Sequence, residues 1–255
     1  MRIEPNDILK KQLTKRYWKE LRRTFILCRQ SVLDKAAHVD PVNLKDYVSG
    51  LLNDEPMKKK YLDIWELVGG KFGYDTENLI KLKKSGLKEI EHKAERAKDW
   101  TERMRRYAAE RSLQKLDAIM TTEQEAINIV IDNVIKRTLD DGMGIVESRK
   151  LMVESLGRDL VELEKWQAQR IALTEVGSAA NTGSFLAAQE NSEGVKKVWG
   201  FVPGRKSFRE EHQQFEADGP KSMDFEYAPG LAYPGDPRGS ADHVINCYCT
   251  ILYEV

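Results

Sequence analysis

Two of the four histidines and two of the three cysteines lie beyond residue 210, and their spacing is where chemistry would first be sought. His243, Cys247 and Cys249 form a His-x3-Cys-x-Cys run, with His212 upstream. Imidazole and thiolate are the ligand types zinc prefers, and these four groups would complete a tetrahedral site. In an extended chain the Cys247 and Cys249 side chains share one face, because strand periodicity is two. The Cys-x-Cys gap is tighter than that of the usual zinc knuckle. The competing reading is two small buried cysteines that pack a terminal strand.

Arg209, His212, Asp218 and Asn246 make a second set, of the kind a hydrolase or nuclease gathers in a cleft. One histidine and one acid separated by a loop are a common accident in a chain of 255 residues. The sequence has no glycine-rich phosphate loop, no His-Glu-x-x-His and no nucleophile elbow. No catalytic residue is therefore assigned. The plainer expectation is that Arg209 pairs with Asp218 and that His212 hydrogen-bonds to hold the same loops. A metal-dependent hydrolase or toxin built on the His/Cys cluster is the alternative.

The elements that must position these groups are mostly helical. The chain is 41% hydrophobic and 32% charged with a formal net charge of zero, long enough to bury a real core. No run approaches the length of a membrane span. Met1 to Asp7 lacks an apolar segment, so no secretion signal is expected. Three cysteines, two of them nearly adjacent, suit a reducing compartment better than a disulfide framework. Residues 1–100 carry 22 lysines and arginines against 16 acids, and the rest is net acidic. The stretch from Lys10 to Arg23 begins to resemble a basic patch, which would permit non-specific DNA contact.

Leu9, Leu13, Tyr17, Leu21, Phe25, Cys28 and Val32 recur every three or four residues, which predicts an amphipathic helix ending near Asp40-Pro41. Between 41 and 86, Gly50, Pro56, Gly69-Gly70, Gly73 and Gly86 read as breaks between short helices, with Trp65 and Leu67 helping to cap a core. A charged helix is expected from Leu87 to Met120. Thr122-Glu-Gln-Glu125 fits a capping box that opens the next one. Val146 to Leu156 and Asp159 to Gln189 read as two further helices. Asn191-Ser-Glu-Gly194 then reads as a hinge. A strand is expected over Val195–Val202, ended by Pro203-Gly204. Beyond it come a helical turn over Arg209–Phe215, a loop or hairpin over Met223–Tyr233 and a closing strand over Cys247–Glu254. Tyr233-Pro-Gly-Asp-Pro237 reads as a rigid, solvent-facing turn. The expected fold class is mainly α, with an elongated helical region over 1–190 followed by a small α+β module over 191–255.

From about residue 165 onward the chain resembles the minor head proteins of tailed bacteriophages, the Mu F-like head morphogenesis family. The resemblance rests on motifs in one order: Thr174-Glu175, Asn181-x-Gly183, Val195-Lys-Lys-x-Trp199, Arg209-x-x-His212, Asp218-Gly219, Tyr233-Pro234-Gly235-Asp236-Pro237 and Ile245-Asn246-Cys247-x-Cys249. His243 has no counterpart in that pattern, and Leu173 stands where an arginine usually precedes Thr-Glu. The resemblance implies a low-copy virion component, present in the host cytoplasm during procapsid assembly. Its implied partners are the portal protein and capsid or scaffolding components, with packaged DNA as a further contact and no membrane. It also implies that Thr174, Glu175 and Asn181, close to one helix face, tie their helix to the C-terminal module.

Overall fold

A computed structural model describes residues 2–3, 7–86, 94–111, 113–202 and 209–255. The protein is mainly α, with a small sheet that includes the C-terminal strand. Its helices are α1 (Asp7–Ala36), α2 (Pro41–Leu51), α3 (Glu55–Ile64), α4 (Gly70–Ser85), α5 (Ala94–Arg111), α6 (Leu113–Asp140), α7 (Ile145–Glu190), α8 (Glu210–Ala217) and α9 (Ala241–Val244). A π-helical turn, Trp65–Gly69, joins α3 to α4. Strands β1 (Arg2–Ile3), β2 (Lys196–Gly200) and β3 (Thr250–Glu254) form an antiparallel sheet in the order β1-β3-β2. No helix among the described residues is long and apolar enough to cross a membrane.

The chain divides into two compact units, and the division does not fall at residue 190. One unit comprises Met1–Trp18, Tyr61–Ser112 and Arg170–Val255; the other comprises Lys19–Lys60 and Leu113–Gln169. The segment 191–255 is therefore built into a larger unit with α4, α5 and the end of α7. Asn191–Gly194 is a tied turn there. Asn191 Nδ2 donates to the Ala187 carbonyl at 2.9 Å, Lys84 Nζ donates to the Asn191 carbonyl at 2.8 Å, and Gly194 supplies a φ of 72°.

Several expected breaks lie inside helices, because glycine there serves close packing. A Cβ at Gly73 would meet the Trp100 ring at 2.5 Å, and one at Gly70 the Thr101 Cα at 2.9 Å. These glycines let α5 approach α4 and the π turn. Trp65 is fully buried as expected, whereas Leu67 is half exposed. The capping box is also absent. Thr122 lies within α6 and its hydroxyl donates to the Ala118 carbonyl, while Glu123 is buried against Arg29 at 3.2 Å. The two helices expected between Val146 and Gln189 are the single α7. Gly157 costs a helix only about 1 kcal/mol relative to alanine, too little to interrupt it. Of the helix expected over Leu87–Met120, residues 87–93 and 112 lie outside the described residues, as does Pro203-Gly204; α5 and the start of α6 account for the rest.

The core of the second unit is an interlock of apolar stripes: Val32 and Ala36 of α1, Leu44 and Val48 of α2, Ile127, Ile131 and Val134 of α6, and Met152, Leu156 and Leu160 of α7. In the first unit a buried carboxylate joins α4 to α5. Glu77 accepts from Trp100 Nε1 at 2.6 Å and from Arg96 Nε at 3.0 Å, and also from Lys81. Burial alone would raise its pKa, but these three donors outweigh burial and bring it from 4.5 down to about 2. A folded-state value below the unfolded one adds stability that is complete above about pH 4.5 and is lost as pH falls towards 2. Thermal melts across that window should therefore decline steeply for the native chain. For Glu77→Gln they should start lower at neutral pH and decline less on acidification.

Candidate metal centre

The C-terminal site is assembled on short elements that are themselves pinned to α7. Arg209, extended, precedes α8 and places His212 in its first turn, only 2% exposed. Ser240 starts the single turn of α9, which carries His243. Asn246 follows in the left-handed region at φ 57°, a conformation asparagine tolerates better than most residues. Its backbone N–H donates to Thr174 Oγ1 at 3.1 Å, which fixes the turn against α7. Cys247 and Cys249 come next, just before β3 rather than within it.

Both thiols turn to the same imidazole nitrogen. His212 Nδ1 lies 3.7 Å from Cys247 Sγ and 3.6 Å from Cys249 Sγ. All three atoms fall within 4.8 Å of one another and all three residues are buried. This group could hold a metal ion. With Zn–S near 2.3 Å and Zn–N near 2.0–2.1 Å, a tetrahedral zinc has S···N edges of about 3.6 Å, so the spacing fits. His243, expected as a fourth ligand, is not in the cluster; its Nδ1 lies 3.2 Å from His212 Nε2, on the far side of that ring. The Trp199 ring meets His212 edge-on at 4.8 Å and helps enclose the site. A hydrogen bond from Cys247, ahead of one from His212 and against burial, holds the Cys249 thiol well below its usual range. The same bond, together with burial, holds Cys247 above it.

Asn181 does most to anchor the segment. Only 2% exposed, it donates through Nδ2 to the carbonyls of Pro234 at 2.8 Å and Cys249 at 3.1 Å. Its Oδ1 accepts from the Ile251 N–H at 3.3 Å and the Thr250 hydroxyl at 3.4 Å. Gly183, two residues on, packs so closely on the π turn that a Cβ there would be driven into the Gly69 carbonyl. Glu175 faces the same turn rather than the C-terminal segment, and accepts from Tyr61 Oη at 2.6 Å and Trp65 Nε1 at 3.0 Å.

Tyr233–Asp236 is buried, which corrects the expected solvent-facing turn. Gly235, at φ 75°, lies where a Cβ would press on Ser178 of α7, and the Tyr233 ring lies 4.5 Å from that of Phe185. Asp236, fully buried, accepts from the Ala232 and Arg238 N–H groups and from the Arg238 guanidinium at 2.7 Å; Pro237 is partly buried. Arg209 and Asp218 do not form the expected pair. Arg209 donates to the Ile245 carbonyl at 2.7 Å, and the exposed Asp218 accepts from Gln214 at 2.8 Å.

Lys10 is the residue that periodicity missed. It reads as part of a basic face, yet it is buried, and Nζ donates to the Cys249 carbonyl at 3.0 Å. Its position three residues before Leu13 and seven before Tyr17 was the available signal. Lys197, fully buried, likewise donates to the Met223 carbonyl at 3.0 Å and to that of Phe225 at 2.5 Å, although β2 alternation alone would not mark it.

No family model matches this chain, and no curated protein or solved structure does so either.

Substitutions at two positions of α7 separate clamp from packing. Asn181→Ala removes the side-chain hydrogen bonds to the Pro234 and Cys249 carbonyls and from the Ile251 N–H, and should cost about 3 kcal/mol or more in denaturant unfolding. Asn181→Asp, which keeps only the acceptor side, should not recover it. Gly183→Ala should cost a similar amount through overpacking, about 1–3 kcal/mol, with the larger end expected because the neighbour is backbone. A Gly183→Ala melt equal to that of the native chain would contradict the close approach.

Proposed function

We propose that this chain is a minor capsid or head morphogenesis protein of a tailed phage or prophage. It would be a low-copy, portal-associated component that works by binding during procapsid assembly and acts in DNA packaging or delivery. The reading rests on the motif resemblance, and it is supported by what the motif side chains do. Thr174, Asn181, Asp236 and Arg209 engage backbone groups of the C-terminal segment or of its own turns. Such groups build a rigid surface, whereas a hydrolase keeps them directed at substrate. Zinc is the ion we assign to the His212, Cys247 and Cys249 group under this reading, in a structural role. The hydrolase or toxin alternative would need substrate to reach a cluster whose three side chains are at most 6% exposed. Contact with packaged DNA is proposed through Lys11, Lys15, Lys19 and Arg23, which lie on α1.

Heads purified from prophage-induced cells should contain the chain, and tagged portal protein co-expressed with it should retain it through washing. Its absence from both heads and portal would sink the assembly reading. A hydrolytic rate that disappears with His212→Ala, at an unchanged melting temperature, would favour the enzyme instead.

A further inference from the structure

His212 has two ring nitrogens, and both are engaged. Nδ1 faces the two sulfurs, and Nε2 faces His243 Nδ1 at 3.2 Å. The two ring planes differ by only 17° and their centroids lie 5.4 Å apart. That separation is what two imidazoles joined edge to edge through this contact require, so the N···N line lies near both ring planes. Beyond it, His243 Nε2 lies 3.7 Å from Glu211 Oε2.

One proton assignment satisfies the whole row when a metal is bound. A nitrogen that ligates a metal carries no proton, so His212 must hold its proton on Nε2. His243 Nδ1 must then accept it, which leaves the His243 proton on Nε2, on the side of the Glu211 carboxylate. Metal-bound histidines are commonly oriented by such an outer partner, and its removal weakens affinity about 10–100-fold. His243 is outside the ligand cluster yet aligned with the imidazole of His212.

We infer that His243 is the positioning residue of a zinc centre whose protein ligands are His212 Nδ1, Cys247 Sγ and Cys249 Sγ. His243 fixes the His212 tautomer and ring angle, and Glu211 extends that control to the surface. The inference rests on the zinc reading above and is independent of the role in head assembly.

The test uses the full chain, titrated with zinc against a chromophoric chelator and with Co2+ for its thiolate charge-transfer bands. The native protein should bind one equivalent. His243→Ala should still bind one equivalent, about 10–100-fold more weakly. His243→Asn keeps an acceptor close to where Nδ1 stands and should recover most of the affinity. Melts of the metal-free proteins monitor folding, and if His243→Ala melts low, the affinity of His243→Asn decides instead. Unchanged affinity in His243→Ala overturns the inference while leaving the zinc reading intact. Equal losses in both variants assign His243 to packing and also overturn it. A native protein that takes up neither zinc nor cobalt removes the zinc reading, and this inference with it.

Discussion

The side-chain amide of Asn181 is the interaction on which the C-terminal half of the larger unit depends. Its four hydrogen bonds reach the Pro234 turn, the Cys249 carbonyl and the first two residues of β3. The Pro234 and Cys249 carbonyls lie outside helices and strands, where buried backbone groups without partners are costly. Because amide donors and acceptors are fixed relative to one another, the clamp sets both the distance of the segment from α7 and its register along it.

A second constraint acts from the opposite side of the same helix end. Gly183 lets the backbone of α7 press on the π turn, and Glu175 collects the Tyr61 and Trp65 donors at that contact. Within the π turn Trp65 is buried while Leu67 stays half exposed. Thr174 and Asn181 thus look to the C-terminal segment while Glu175 and Gly183 look to α3–α4. The two close pairings in the sequence, Thr-Glu and Asn-x-Gly, each divide their members between these two partners.

Periodicity made α1 legible, because Tyr17, Leu21, Phe25, Cys28 and Val32 form one buried stripe. The closing strand was legible for the same kind of reason, although it begins at Thr250 and leaves out Cys247 and Cys249, which nonetheless face one imidazole. Glycine misled where its role was proximity rather than flexibility: at Gly69, Gly70 and Gly73 the helix continues and its neighbour comes closer. Thr122 and Glu125 matched a cap in composition, but capping requires an end, and α6 already runs from Leu113 with Leu116 buried ahead of Thr122. The units were illegible because each is assembled from segments distant in sequence. The burial of Lys10 was hidden for a related reason, since its acceptor lies 239 residues away.

Cys249 is where clamp and candidate centre meet, and its two ends are held by different chemistry. Its carbonyl accepts from Lys10 and Asn181, using both lone pairs, while its sulfur lies with Cys247 beside His212. The backbone path into β3 is therefore set by α1 and α7 whatever occupies the sulfur side. An ion there would add a link from β3 to α8, an element also held by Arg209 at the Ile245 carbonyl and by Glu216 at the Phe201 N–H. The ordering of α8 against the terminal strand is then the property that metal would govern. The anchoring of that strand on α7 belongs to the amide.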